Sequence, residues 1–173
     1  MTTGTLIATL VRIEAVVVRV IRLCLGVGLI AMVVINVLNA VGRYSGTISL
    51  VGADELLVYG MIWIVMLGAI LAARDRDHLS IDLLPSGLSG TAATALQLVI
   101  DLVTLIVAGF VAWHSASFIE RIAMIGQTSM GLGIPMTLPH AAIFVGFAGI
   151  AAVTAVLLAS DLSKLTGKRE TRT

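Results

Sequence analysis

The chain has 173 residues, of which 58% are hydrophobic and 12% charged, with a formal net charge of +1 and a mean hydropathy of +1.07. Ordinary soluble domains carry about 25% charged residues, so this composition excludes a typical soluble fold, and the near-zero net charge excludes a basic nucleic-acid binder. The single cysteine, Cys24, excludes an internal disulfide and a thiolate metal cluster.

Residues 5–22 alternate apolar side chains with Arg12, Glu14, Arg19 and Arg22, a pattern that suits a helix lying along a membrane surface. The apolar stretch that follows is too long for a signal-peptide h-region and reaches Asn36 and Asn39 without a cleavage site. It is read as an uncleaved anchor. The first spanning helix is predicted over residues 21–42. No charge lies between Leu23 and Gly42, and a bilayer core about 30 Å thick needs about 20 apolar residues at ~1.5 Å rise each. Lipid leaves no backbone polar group unbonded, so the run must be helical. Cys24, inside this run, is expected to be a small buried packing residue. Asn36, Asn39 and Arg43 follow at steps of three and four and share a face leading to the helix end.

The second span is predicted over residues 56–73, with Asp54 and Glu55 at its start. A short hairpin brings Arg43 near Asp54 or Glu55. Such an ion pair either fixes the hairpin alone or also meets another protein. Gly60, Ile64, Gly68 and Ala72 line one side of this helix. Small residues let helix backbones approach in lipid, where van der Waals contact drives association. Trp63 lies mid-span rather than in an interfacial belt and reads as a contact residue. Beyond the span, Arg74, His78 and Asp82 recur at steps of four. They form one face if the helix continues, with His78 able to bond both neighbours, or else a solvated helix end.

Residues 86–94, with Gly87, Ser89 and Gly90, read as a flexible connection. The third span is predicted over residues 92–117 and contains one acid, Asp101. Gln97, Asp101, Thr104 and Ala108 follow at steps of four, three and four, one helical stripe. A charged aspartate at a helix centre costs about 2.5–3.5 kcal/mol on insertion scales, so it faces protein or water. It is a proton or ion site, or a polar contact to another helix. The fourth span, over residues 138–160, follows Pro135 and Pro139, which suit a turn and a first helical turn. Ala142, Gly146 and Gly149 form its small-residue side.

The chain is thus expected to be an all-α integral membrane protein of four transmembrane helices in one domain. Nine Lys and Arg residues fall on the side of both termini and two, Arg43 and Arg121, on the other, which puts both termini in the cytoplasm. His78, His114 and His140 sit near predicted helix ends and none pairs at ligand spacing, so neither haem nor metal is expected. The sequence holds no G-x-S-x-G, H-E-x-x-H or C-x-x-C, and no enzyme activity or cofactor is expected.

The ordered set Leu67-Gly68-Ala69, Arg74, His78 and Asp82 resembles the signature of the small membrane subunit (DctQ-type small permease) of tripartite ATP-independent periplasmic (TRAP) transporters. Asn39 and Arg43-Tyr44 match the outer end of that family's first helix, and Asp54-Glu55-Leu56 its acidic start of helix two. Thr128, Gly133-Ile134-Pro135, Leu138-Pro139 and Gly146 match its entry to helix four. Two departures stand out. The family often has a tryptophan before the acidic pair where this chain reads Val51-Gly52-Ala53, and the pair is Asp-Glu rather than two glutamates.

The resemblance implies a bacterial inner-membrane protein that takes part in sodium-driven uptake of an organic acid, a carboxylate, delivered by a periplasmic binding protein. The implied partners are that protein, a large elevator-type membrane subunit that carries the substrate and sodium sites, and membrane lipids. Arg43, Asp54 and Glu55 would then sit near the periplasmic docking side and Arg74, His78 and Asp82 would brace the cytoplasmic side. Asn36, Asn39, Gln97 and Asp101 would make polar contacts within the membrane. The rival expectation is a self-contained homo-oligomeric transporter or channel, with Gln97, Asp101 and Thr104 lining its path.

Overall fold

The computed structural model describes residues 3–46, 51–75 and 91–170. Among them the chain forms four long helices: α1 (Thr3–Ser45), α2 (Ala53–Asp75), α3 (Thr91–Ile125) and α4 (Thr137–Glu170). Each contains a stretch long and apolar enough to cross a membrane, and the chain is an all-α, four-span membrane protein. The N-terminal segment is helical, as its pattern predicts, but it is no separate element: α1 runs unbroken for 43 residues. At 1.5 Å per residue it is about 65 Å long, twice the apolar thickness of a bilayer.

Glycine sets the helix ends. Gly46 and Gly126 follow the last residues of α1 and α3 with φ of 67°, the left-handed conformation that stops a helix. The Gly126 amide donates to the carbonyls of Ile122 and Ala123 (3.1 and 3.2 Å). This extends α3 eight residues past its predicted end at 117. Glu120 and Arg121 mark where the apolar run stops, but charge alone breaks no helix. His114 consequently lies inside α3 rather than near its end, with Nδ1 3.0 Å from the Phe110 carbonyl. At α2 the Leu56 amide donates to the Gly52 carbonyl, and Asp54 and Glu55 occupy the first turn and Arg74 the last, each sign at its favourable end of the helix dipole.

The helices are arranged as an open row. The principal contacts run α1 to α2, α2 to α4 and α4 to α3. Glycines receive the larger side chains of the neighbouring helix. A Cβ added at Gly28 would lie 3.3 Å from Ile64, and one at Gly60 would lie 3.2 Å from Met32. Added at Gly146 or Gly149, it would lie 2.7 Å from the Met66 sulfur or 2.5 Å from Ile70. The small-residue side expected on α4 thus packs on α2, and Ala142 is fully buried. The stripe expected on α2 is shorter than its spacing implied. Gly60 and Ile64 face α1, whereas a Cβ at Gly68 would meet nothing within 4 Å; beyond it the Arg22 side chain, reaching Asp75, bridges the two helices. The core is small: Ala73, Ala108 and Ile150 form its centre, with Ala69, Ile70 and Phe147 against it. Among the described residues no large side chain is completely buried.

Cys24 is exposed, not buried. Through this part of the chain α2 is the principal neighbour of α1 among the described helices, and most of the circumference of α1 faces outward.

Candidate functional site

The polar side chains gather at the two ends of the α1–α2 pair. At one end the Arg43 guanidinium lies 3.0 Å from the Asp54 carboxylate, and the Asn39 amide, 3% exposed, donates to the same carboxylate at 3.4 Å. The spacing of Asn39 and Arg43 on one face of α1 thus converges on one acid. Asn36 does not join them; it is exposed along the α1–α2 groove.

Glu55 has a different task. Its carboxylate accepts the backbone N–H groups of Gly131 and Leu132 at 2.9 and 3.0 Å. That connection is a tight hairpin. Thr128 and Pro135 form a bridge, the Met136 amide donates to the Gln127 carbonyl, and the Ser129 amide donates to the Ile134 carbonyl, both at 2.9 Å. The buried Ser129 hydroxyl accepts from the Ile134 amide. Two glycines allow the approach. A Cβ at Gly131 would lie 3.1 Å from the Gly52 Cα, and Gly52 itself has φ of 84°. Glu55 therefore ties the start of α2 to the α3–α4 hairpin. Met130 and Leu132 remain exposed on that hairpin, as do Met124 and Ile125 at the end of α3.

At the other end Arg22 pairs with Asp75, which also pairs with Arg74 at 2.9 Å. Sequence reasoning placed Arg74 with His78 and Asp82; the latter two lie outside the described residues. It missed Asp75 and its bond to Arg22. A signal was present. Arg22 and Arg43 are 21 residues apart on α1, and Asp54 and Asp75 are 21 apart on α2. Both separations correspond to about 32 Å of helix, close to the ~30 Å apolar thickness of a bilayer.

The same levels locate Asp101 relative to the ion pairs. Met66 meets Gly146 and Ile70 meets Gly149; Phe118 meets His140; and Ala73, Ile150 and Ala108 share one cluster. Asp75 is two residues beyond Ala73, while Asp101 is seven residues before Ala108 on the antiparallel α3. Asp101 therefore lies roughly one helical turn past the Arg22–Asp75 level. It brackets, with Glu120, an uncharged run over residues 102–119. Asp101 lies within the membrane-capable stretch of α3, Ala93–Ile125, in its first half. The side chain is 6% exposed and accepts the Gln97 amide at 2.8 Å, so the predicted Gln97–Asp101 contact forms. Thr104 lies on a largely apolar groove with Val103, Val107, Ala108, Phe147 and Ile150.

Trp63 is half-buried. His140 Nδ1 lies 2.6 Å from the Met136 carbonyl, and the Tyr59 hydroxyl donates to the Met136 sulfur at 3.3 Å. Among the described residues no three His, Cys, Asp or Glu side chains converge as metal ligands. Among the described residues the arrangement offers helix faces, two polar ends and two grooves lined mainly by apolar side chains.

A family model described as "Tripartite ATP-independent periplasmic transporters, DctQ component" matches residues 29–164. The chain belongs to this family. DctQ is a transporter-subunit family of the bacterial inner membrane, not an enzyme family. The matched residues include the Arg43–Asp54 end of the α1–α2 pair and the hairpin that Glu55 holds, and of the other end Arg74 and Asp75 but not Arg22. The chain is also 26% identical over 142 residues to the isethionate TRAP transporter permease protein DctMQ of Oleidesulfovibrio alaskensis. That match covers 79% of this chain and 22% of the relative, so the chain corresponds to about a fifth of that protein's length.

Proposed function

We propose that this DctQ component is the small, non-catalytic membrane subunit of a sodium-coupled TRAP transporter. It scaffolds a large elevator-type subunit, which holds the substrate and sodium sites, and helps dock a periplasmic binding protein that delivers an organic acid. One observation carries the scaffold reading: the helices stand in an open row whose broad faces are apolar and whose core is small. Such a row has much surface left for another membrane protein, and its grooves are lined mainly by apolar side chains among the described residues. The relative's name joins two components, DctM and DctQ, in one permease, which supports a large membrane partner. Its isethionate substrate supports a small organic anion as cargo; a carboxylate is the reading adopted here.

The charge asymmetry supports cytoplasmic termini. The Arg22–Asp75 end then faces the cytoplasm, with Arg74, His78 and Asp82. The Arg43–Asp54 pair and the Glu55-held hairpin face the periplasm. There Arg43 and Asp54 contribute charge, and Glu55 acts through the loop it positions rather than by direct contact.

The test is sodium-driven uptake by cells that make the complete transporter. Omission of this chain should abolish uptake, and Arg43→Ala and Glu55→Ala should each lower it. Uptake at the wild-type rate by both variants would overturn the docking role. In liposomes the chain alone should carry no flux; transport by the purified chain that is lost on Asp101→Asn would replace this reading with a self-contained transporter.

A further inference from the structure

We propose that the groove between α1 and α2 seats one transmembrane helix of the large membrane subunit, and that Asn36 is its polar anchor. This rests on the function proposed above and adds the face and depth of the contact. Asn36 is seven residues before Arg43, about 10 Å inside the apolar segment that the two ion pairs bracket. Its amide is exposed and makes no hydrogen bond to any described residue. It opens onto a groove of about 280 Å³ whose other lining residues, Leu29, Met32, Val33, Leu57, Val58 and Met61, are all apolar.

A primary amide has two donors and an acceptor that hydrocarbon cannot satisfy. Lipid tails would fill the groove but leave these groups unbonded. A helix bearing a Ser, Thr, Asn or Gln at the same depth fills the groove and satisfies them, as polar side chains do across helix pairs in membranes. The surrounding surface is open among the described residues: Leu29, Val33 and Val58 are exposed, and α2 is the one principal neighbour of α1. Met32 and Met61 supply flexible side chains that conform to a partner. The large subunit is favoured over a second copy because the relative joins the matching segment to a much longer remainder in one polypeptide. Such a tether holds the two parts at high effective concentration.

The test uses the complex purified in mild detergent from membranes that make both subunits. Benzoylphenylalanine placed at Val33 or Val58 should photocrosslink to the large subunit, whereas at Val156, exposed on α4, it should not. Asn36→Leu should lower recovery of the large subunit about 3- to 15-fold, the range of one interhelical hydrogen bond in a membrane. Asn36→Gln should retain most of it. Melting of the isolated chain should be unchanged by either substitution, which separates lost docking from lost folding. Crosslinks to a second copy, crosslinks to the large subunit from Val156 alone, or wild-type recovery with Asn36→Leu would each overturn the assignment while the subunit function stands. If the wild-type chain retains no larger membrane protein, the subunit function falls and this inference with it.

Discussion

Gly146→Ala is the sharpest test of how the row is held together. The new Cβ would lie 2.8 Å from the Met66 Cβ and 2.7 Å from its sulfur. Carbon atoms in good contact are about 3.5–4.0 Å apart, so the pair falls short by about 0.7–1.2 Å. The sulfur can swing away, but the Met66 Cβ is fixed by its backbone, so α2 and α4 must separate. Overpacking of this kind costs about 1–3 kcal/mol. Replacing a helical glycine with alanine returns up to ~1 kcal/mol of intrinsic propensity, which blurs the result for one variant. Gly109→Ala removes the ambiguity. It makes the same replacement within α3 where a Cβ meets nothing within 4 Å. The difference between the two variants isolates the clash and should be about 1–3 kcal/mol, with Gly146→Ala the less stable. The assay is reversible unfolding of the purified chain in micelles, followed by circular dichroism. Adding Met66→Gly, which removes that Cβ, to Gly146→Ala should recover part of the loss, a coupling that a double-mutant cycle measures. Equal stability of Gly146→Ala and Gly109→Ala, within about 0.5 kcal/mol, would refute close packing of α2 on α4.

Glu55→Ala should raise hydrogen exchange at the Gly131 and Leu132 amides while the Ser129 and Met136 amides, bonded within the hairpin, change less; unchanged protection at 131 and 132 would show that the carboxylate does not hold the loop. Asp101→Asn keeps an acceptor for Gln97, so uptake by the complete transporter should stay within a few-fold of wild type; its abolition would place a titrating group there. Cys24 faces outward two residues inside the Arg22 level, within the apolar segment that a hydrophilic reagent does not readily enter; a hydrophilic maleimide should label it slowly in bilayers and readily after denaturation, and equal rates would put it in water.

The four spans were legible because charged residues and apolar runs alternate so clearly, and the α4 face of Ala142, Gly146 and Gly149 because small residues at helical spacing have one main use in lipid. Depth was harder. The apolar run predicts an end of the third span at 117, ahead of Glu120 and Arg121, whereas α3 continues to Ile125. That end is set by backbone conformation at Gly126, which a charge pattern does not report. Nor could the sequence decide which acid Arg43 meets. Asp54 and Glu55 are adjacent, and neighbours on a helix point about 100° apart, so one turns to α1 and the other to the hairpin. Cys24 was misjudged for a related reason: an apolar run shows that a helix is in the membrane but not how many neighbours it has there.

The matched spacing of the two ion pairs has a mechanical consequence. To slide α1 along α2 by one turn, about 5.4 Å, would separate Arg22 from Asp75 and Arg43 from Asp54 in the same step. It would also drive Met32 and Ile64 out of the recesses at Gly60 and Gly28. Tilting the two helices together breaks none of these contacts. A push on α1 is therefore handed to α2 as rotation of a rigid couple, and shear between them is the motion the chain resists.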